Sequence, residues 1–591
     1  MAKRWRIQPH DAERILSLER SARISPVLAQ LLVSRGVRDA EAARRFLEAR
    51  LSQLREPEDM PGIREAADRL HAAIAEKRKI AVYGDYDADG MTGTAILWLC
   101  VRLLGGDASY FVPNRLEEGY GLHSEAIRSL AGRGAALIVS VDCGISSVVA
   151  AETAAELGLE LIITDHHELP PELPRAAAIV HPGLPSPSAG FPDLCGAGVA
   201  FKLAWALCCR ASQSKKVSPR MRDFLLSAIG LAALGTVADV VPLVDENRIL
   251  VRHGLVSLRE RPRPGIQSLM AVMELDRKPT LSSEDVAFGL APRLNAAGRL
   301  GQAQLGVELL TTDSADRARA LADYIHQLNS SRESLERSVY LAASKQIKEQ
   351  CDPEGDPAFV LAGTGWHPGV LGIVAGRLAE KYHRPVVLVA MDQAGARPAT
   401  GSGRSACGLN LHQALSHCRE HLLSHGGHAA AAGLKMEEAS LPAFRAAFCE
   451  YVARCISPED RMAEITIDAE APLSQLTLNT VQQVEQLAPF GVGNPRPILC
   501  ASSVAIAEPP RKLGAGDRHL AVKLTQHHVT LRAVAFGRGE WLDELTRVDR
   551  PIDVAYRPVI NDYRGRRSVE LHLVDWRVSP RPALAVHSPG G

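Results

Sequence analysis

Between residues 61 and 200 the hydrophobic positions fall into short unbroken runs separated by stretches of helical period. The runs are 79–84, 136–141 and 161–164, and the helical stretches include 64–77, 92–104, 124–132 and 146–157. Such alternation predicts a parallel, doubly wound sheet, because parallel strands need a crossover helix between them. Residues 222–260 continue it with helix and the apolar segment 235–242. Residues 1 to about 50 read as helical and peripheral, with Leu16, Leu18, Leu28, Leu31 and Leu32 on apolar faces.

Asp313-Ser314 caps a long helical pattern that reaches Gln350 without Pro or Gly, carrying Leu321, Ile325, Leu328, Leu335 and Val339. Its length and its Arg and Glu content suit a connector between two lobes rather than part of one core. Residues 352–357 (DPEGDP) read as a linker. A second α/β lobe follows over 358–455, with strands at 359–362 and 386–389. Beyond 462 the chain turns to short strands at 465–467, 504–507, 520–524, 529–535, 552–556 and 569–573. That spacing predicts a small β-barrel of the oligonucleotide/oligosaccharide-binding (OB) type.

The predicted fold class is therefore α/β: two α/β lobes joined by a long helix, plus a C-terminal OB-like β-barrel. The expected boundaries are a helical region over 1–60, a parallel-sheet domain over 61–312 and a connecting helix over 313–352. A smaller lobe spans 353–458, the barrel spans 459–582, and a disordered tail spans 583–591. A chain of 591 residues has room for about four domains at roughly 150 residues each.

Composition changes little. Lys plus Arg and Asp plus Glu each number 68, so no basic excess announces a nucleic-acid partner. The 11 cysteines are scattered without a paired C-x-x-C, which argues against zinc and a disulfide framework and fits a reducing cytoplasm. The basic start, Met1 to Arg6, is followed by no apolar signal core. The apolar stretch 224–238 is too short to span a bilayer and reads as a buried helix. No membrane association is expected.

The chemistry concentrates at strand ends. Run 79–84 delivers Asp85-Tyr86-Asp87-Ala88-Asp89-Gly90, run 136–141 delivers Asp142, and run 161–164 delivers Asp165-His166-His167. Carboxyl ends of neighbouring parallel strands share one crevice, and carboxylates crowded there repel unless a cation or proton compensates. Asp239, in an apolar segment, needs a partner that a metal would supply. Mixed Asp and His donors select Mn or Mg over Ca. An EF-hand is excluded, because position 12 counted from Asp85 is Ile96 and a strand precedes the loop. Read alone, Asp142 is also a helix N-cap and His166-His167 also a surface pair.

In the second lobe, Gly426-Gly427-His428 followed by small residues would let backbone N–H groups and a His approach a phosphate. A plain glycine turn into an Ala-rich helix is the alternative. Ser402 and Arg404 would grip phosphate oxygens. Residues 550–582 carry seven Arg against four acids with Tyr556, Tyr563 and Trp576 interleaved, a composition suited to single strands or to a solvated barrel face. Trp366-His367-Pro368-Gly369 has no assigned role.

These motifs together resemble the DHH phosphoesterase superfamily, and in particular its bacterial exonucleases that digest single-stranded DNA from the 5′ end. The resemblance rests on Gly84 to Gly90, Val141-Asp142-Cys143-Gly144, Asp165-His166-His167 and Gly235 to Asp239. It continues in Ala291 to Leu300, Ser402-Gly403-Arg404-Ser405 and Gly426 to Gly433. In that family's terms the first lobe is a DHH domain and the second a DHHA1-type domain.

The resemblance implies that Asp85, Asp87, Asp142, His166 and Asp239 ligate two Mn2+ or Mg2+ ions, with Asp142 bridging and His167 facing the scissile phosphate. Asp89 would be structural support, since relatives acting on short oligonucleotides carry an apolar residue there. Arg115 resembles the family's terminal-phosphate reader. Arg293, Arg299, Ser402, Arg404, Gly427 and His428 are the other expected substrate contacts, although Arg293 and Arg299 equally suit interlobe salt bridges. The implied activity is 5′→3′ digestion of single-stranded DNA to nucleoside 5′-monophosphates in DNA repair and recombination. A monomer working with a helicase and a single-stranded-DNA-binding protein is expected. Two rivals stand beside it: a phosphodiesterase on short oligonucleotides or cyclic dinucleotides, and a non-catalytic DNA-binding scaffold. Shorter relatives lack a barrel, and no motif here departs from pattern, which argues against each in turn.

Overall fold

A computed structural model describes residues 3–580, apart from 115–118, 186–189, 394, 396, 458, 515 and 564 and the side chain of Tyr563. The chain divides into two compact units, residues 51–463 and the pairing of 3–50 with the segment from 464 onward.

In the larger unit, five parallel strands run in the spatial order Asp107–Phe111, Lys79–Gly84, Leu137–Val141, Glu160–Thr164, Ala178–Val180. Both faces are covered, which is why the runs are apolar throughout rather than alternating. Ile80, Val82, Val139 and Ile162 pack toward helices Ile63–Ala75, Ala88–Leu103 and Gly196–Ser212. Ala81, Tyr83, Ile138 and Ile163 pack toward Ser124–Gly132 and Val148–Glu156. The chain leaves Lys79–Gly84 to one side and returns on the other at Leu137–Val141. That junction is the topological switch point where open α/β sheets bind ligands.

Helix Pro219–Ala238 is long and apolar enough to cross a membrane by length and composition, but its buried stretch Ala228–Val237 belongs to this lobe's core.

Helix Ala315–Gln350 begins where the Ser314 hydroxyl accepts the Arg317 N–H at 3.3 Å. Its 36 residues make a rod of about 54 Å. Leu321, Ala322 and Ile325 lie in the first lobe's core, and Val339, Ala343 and Ile347 lie in the second's. The second lobe is a mixed sheet in the order Ser424–Gly427, Ala431–Met436, Ala399–Arg404, Val386–Met391, Phe359–Thr364. Only the last two strands pair in parallel.

In the smaller unit five strands close a barrel: Leu499–Leu513, His519–Gln526, Val529–Ala535, Ile552–Tyr563 and Arg566–Val578. The order is first, second, third, fifth, fourth, with the fourth returning to the first, the third and fifth parallel, and helix Trp541–Arg547 between third and fourth. This is the OB arrangement.

The N-terminal region is not peripheral, contrary to the sequence expectation. Arg4–Ile7 is a strand paired in parallel with Glu464–Ile467, and Leu18, Leu28, Leu31 and Leu32 share one core with Leu487, Val504 and Leu520. Periodicity shows that a helix has an apolar face but not which partner, here more than 400 residues away, covers it.

Candidate metal centre and phosphate-binding residues

The strand ends place the acidic groups as the motif spacing requires. Asp85 directly follows strand Lys79–Gly84 and is buried. Asp87 caps helix Ala88–Leu103, with one carboxylate oxygen accepting the Asp89 and Gly90 N–H groups at 3.0 Å each. Asp142 sits at φ +63°, a left-handed conformation that Asp tolerates, which turns its side chain out of the ladder. Asp239 ends helix Pro219–Ala238, its N–H donating to Gly235 O at 2.9 Å.

Asp165 serves the histidine pair rather than the centre itself. Its Oδ1 accepts from the His166 and His167 amides at 2.8 and 3.2 Å and lies 2.7 Å from His167 Nδ1. Its Oδ2 accepts from Ile145 N at 2.9 Å. Burial alone would raise this carboxyl, but the bond to the His167 ring and the amides of Ile145 and His167 hold it below the ordinary Asp range. His167 moves the opposite way. Burial disfavours its cation, yet the Asp165 contact raises it above an ordinary imidazole. An ionised Asp165 accepts a hydrogen bond from His167 Nδ1–H, which leaves Nε2 available.

Three sets of donor atoms converge, each within 4.8 Å of one another: Asp85, Asp87 and Asp142; Asp142, His166 and His167; Asp89, His166 and Asp239. His166 Nε2 lies 3.1 Å from Asp142 Oδ1, 3.5 Å from Asp239 Oδ2 and 3.9 Å from Asp89 Oδ2. Asp142 and His166 each belong to two sets. Asp142 Oδ1 and His166 Nε2 are also buried without a hydrogen bond. An unsatisfied buried polar group costs roughly 1–3 kcal/mol, so the residues present fit a divalent cation held by hard O and N donors.

The electrostatics agree. Burial and then the neighbouring carboxylates Asp89 and Asp87 push the Asp142 carboxyl well up, and the same causes push Asp239 up to about 9. Burial first, then the adjacent His167, holds His166 down to about 4, so its ring is neutral at pH 7 with a lone pair to give.

Asp89 lies deeper. Its oxygens accept Gly196 N at 2.6 Å and Ala197 N at 2.9 Å, tying the acidic loop to the N-terminus of helix Gly196–Ser212. Burial and Asp87 raise it to about 6. Asn295 Oδ1 accepts Ala88 N at 2.8 Å. Glycines fill the close approaches. A Cβ on Gly196 would fall 2.5 Å from Asp142 Oδ1, on Gly235 2.4 Å from Asp89 Oδ1, and on Gly298 2.0 Å from Tyr86 O.

Two residues escaped the sequence reading. Tyr120 Oη donates to Asp142 O at 3.2 Å and lies 2.9 Å from His167 Nδ1. His181 Nε2 donates to His167 O at 2.8 Å. Isolated Tyr and His residues carry no periodic signal; only proximity reveals them.

On the second lobe, Ser402 and Arg404 share one strand, with Arg404 Nη1 donating to Ser402 Oγ at 3.1 Å and Gly403 O at 2.7 Å. Gly427, at φ +128°, closes a hairpin in which His428 N donates to Ala431 O at 2.8 Å. The alternative of a glycine turn into an Ala-rich helix is therefore wrong: residues 431–436 are a strand. His428 is exposed, its Nδ1 3.9 Å from Oε2 of Glu168, the residue after the histidine pair. Arg293 Nε donates to His326 Nδ1 at 3.1 Å, and Arg299 Nη1 reaches Gly369 O of the second lobe at 3.3 Å. Arg115 lies outside the described residues.

On the barrel, one of the aromatics that suggested base stacking is unavailable and a second is half-buried. Tyr556 is fully buried with Oη donating to Ala471 O at 2.7 Å, and Trp576 packs on the barrel core. Among the described residues Phe536 is an exposed aromatic there, its ring centroid 5.4 and 4.9 Å from those of His519 and His572 in T-shaped arrangements.

Comparison with known proteins gives three family models in order along the chain: the DHH family N-terminal domain over 79–229, the DHHA1 domain over 355–454 and the RecJ OB domain over 467–575. The single-stranded-DNA-specific exonuclease RecJ of Bacillus subtilis is 38% identical over 98% of this chain and 71% of its own length. That of Escherichia coli is 36% identical over 93% of this chain and 95% of its own. The crystal structure of RecJ from Thermus thermophilus with Mn2+ superimposes at a TM-score of 0.82 with 33% identity, covering 98% of this chain and 80% of that one. Its Mg2+ complex gives 0.76 and 32%.

Proposed function

Because the chain belongs to the RecJ family of single-stranded-DNA-specific exonucleases, we propose that its strand-end cluster hydrolyses the terminal phosphodiester of a single DNA strand. The observation that carries this reading is the pair Asp142 Oδ1 and His166 Nε2. Both are buried, lack a hydrogen bond and are shared between donor sets.

Asp85, Asp87, Asp142, His166 and Asp239 would hold two divalent ions, Mn2+ or Mg2+. Bound there, the ions supply an activated water and Lewis-acid charge at the phosphate. His167, oriented by Asp165, presents Nε2 to a phosphate oxygen and favours the charge that grows there. Ser402 and Arg404 grip phosphate oxygens beside the exposed His428 and the Gly427 hairpin. Arg293 and Arg299 face the strand from the first lobe, and Arg115 reads the terminal phosphate. The products are nucleoside 5′-monophosphates released 5′→3′, in the setting of DNA repair and recombination.

The single-strand requirement calls for a helicase to supply substrate and for traffic with a single-stranded-DNA-binding protein. All three donor sets come from one chain, which supports a monomer. Eleven free cysteines support the reducing cytoplasm. The barrel favours long strands over the dinucleotides of barrel-less relatives.

The test is digestion of one long strand labelled separately at its 5′ and 3′ ends, with Mn2+ and with chelator. Early release of 5′ label as mononucleotide, with metal only, is expected. Early 3′ release would overturn the polarity. An intact long strand beside a consumed dinucleotide would move the chain to small substrates.

A further inference from the structure

The loop after strand Asp107–Phe111 is built to present the ring of Tyr120. Gly119 and Gly121 flank it at φ +87° and +99°, left-handed turns that glycine makes at little cost. The chain is pinned just beyond: the buried Tyr83 hydroxyl donates to Gly121 O at 3.1 Å, and Leu122 N donates to Ser147 Oγ at 3.3 Å. The tip of the side chain is pinned as well, since Oη donates to Asp142 O at 3.2 Å and lies 2.9 Å from His167 Nδ1. Held at both ends, Tyr120 is still 47% exposed. Its ring centroid lies 5.2 Å from that of His167, with 57° between the planes.

These contacts decide what Tyr120 can offer a substrate. A phenol has one proton to donate, and this one goes to Asp142 O. None is left for a phosphate oxygen. The part that stays open is the π-face, next to the histidine that presents Nε2 to the scissile phosphate. That phosphate joins two nucleosides, one on each side of the bond that breaks. A flat, rigid aromatic face suits the flat part of a nucleoside, its base, and every base has a π-face to stack on it. Because the ring is fixed before a strand arrives, little side-chain freedom is lost on stacking.

We propose that the Tyr120 ring stacks on the nucleobase adjacent to the scissile phosphate and thereby positions that phosphate for hydrolysis. The inference rests on the single-strand exonuclease reading. The hydroxyl sets where the ring stands and the ring face meets the substrate, so substitution separates the two parts.

The test uses the full chain and 5′-labelled single strands that carry every base, lack the base of the first nucleotide, or lack that of the second. Single-turnover cleavage of the first bond with Mn2+, with protein in excess but below saturation, reports kcat/KM and reads slow variants too. The wild type should favour the intact strand over one of the two base-lacking strands by about 5- to 150-fold, the range for one base on one ring. Tyr120→Ala should bring that ratio to within about twofold of unity, because no ring is left to stack on. Tyr120→Phe keeps the ring and should preserve the ratio while both rates fall. A general loss of folding lowers both rates and cancels in the ratio. A wild-type protein indifferent to either missing base overturns the proposal. So does a Tyr120→Ala protein that keeps the ratio, which would leave the ring as a brace for His167, or a Tyr120→Phe protein that loses it. A wild-type chain that digests no single strand would sink the underlying exonuclease reading instead, and that control separates the two failures.

Discussion

Gly196→Ala places a methyl carbon where Asp142 already is. The new Cβ would stand 2.5 Å from Asp142 Oδ1 and 2.6 Å from its Cγ, against 3.4–4 Å for ordinary contact. Neither partner yields easily. Asp142 is 2% exposed at a left-handed backbone position, and the Gly196 amide is fixed at 2.6 Å to Asp89. Relief therefore displaces the Asp142 carboxylate by about 1 Å, an error of the size that lowers rate about 10²-fold. That corresponds to about 2.7 kcal/mol of activation free energy.

Overpacking destabilises by about 1–3 kcal/mol, offset by roughly 0.5–1 kcal/mol because Ala suits a helix better than Gly. The variant should therefore stay folded while losing activity. Gly198→Ala, on the same helix, is the control. Its Cβ meets Leu194 Cδ2 at 3.2 Å and nothing of the acidic cluster, so its rate should stay within about threefold, under roughly 0.7 kcal/mol. The assay is Mn2+-dependent release of 5′ label, with Mn2+ affinity by calorimetry and a thermal melt beside it. A Gly196→Ala protein with wild-type rate and Mn2+ affinity would refute the claim that Asp142 is held rigidly against that helix.

The metal-free protein should lose stability as pH rises. The folded carboxyls of Asp142 and Asp239 are raised, Asp239 to about 9, so the folded state binds more protons than the unfolded one between pH 4 and about 9. The gain in melting temperature on adding Mn2+ should accordingly be larger at pH 8 than at pH 6, and equal gains would contradict it. Glu246→Ala strands Lys202, whose ammonium is buried 2.5 Å from Glu246 and 2.6 Å from Arg55 O. The expected loss is about 3–5 kcal/mol in urea unfolding, and a loss below about 1 kcal/mol would show that water reaches the pair. A fragment of residues 51–463 should stay soluble and keep Mn2+-dependent cleavage of a short oligonucleotide, because it is one compact unit. Insolubility of that fragment would refute the division.

The three central parallel strands were legible because burial on both faces makes them apolar runs, and their exits carry the polar residues Asp85, Asp142 and His166; the edge strands Asp107–Phe111 and Ala178–Val180, short or half-exposed, were not. The connecting helix was legible from its Ser314 cap and from 36 residues without Pro or Gly. The strands holding Arg404 and Gly427 were hidden, since Gly and Ala give no β signal. Tyr556 and Trp576 looked like a stacking surface in composition, but which face of a strand they occupy decides the matter, and Tyr556 points inward. Gly196 was silent because what it contributes is empty space. The pairing of Arg4–Ile7 with Glu464–Ile467 left no local trace at all.

That pairing sets a clock. Residues 3–50 leave the ribosome with Leu28, Leu31 and Leu32 needing cover, and the strands that supply it begin only after residues 51–463 have been made. At about 5–20 residues per second, that interval lasts roughly 20–80 s. The DHH and DHHA1 lobes can complete themselves within it, while the first helices wait exposed. Every nascent chain thus carries an uncovered apolar N-terminal segment for most of its synthesis, and a chain that stops short of the barrel never covers it.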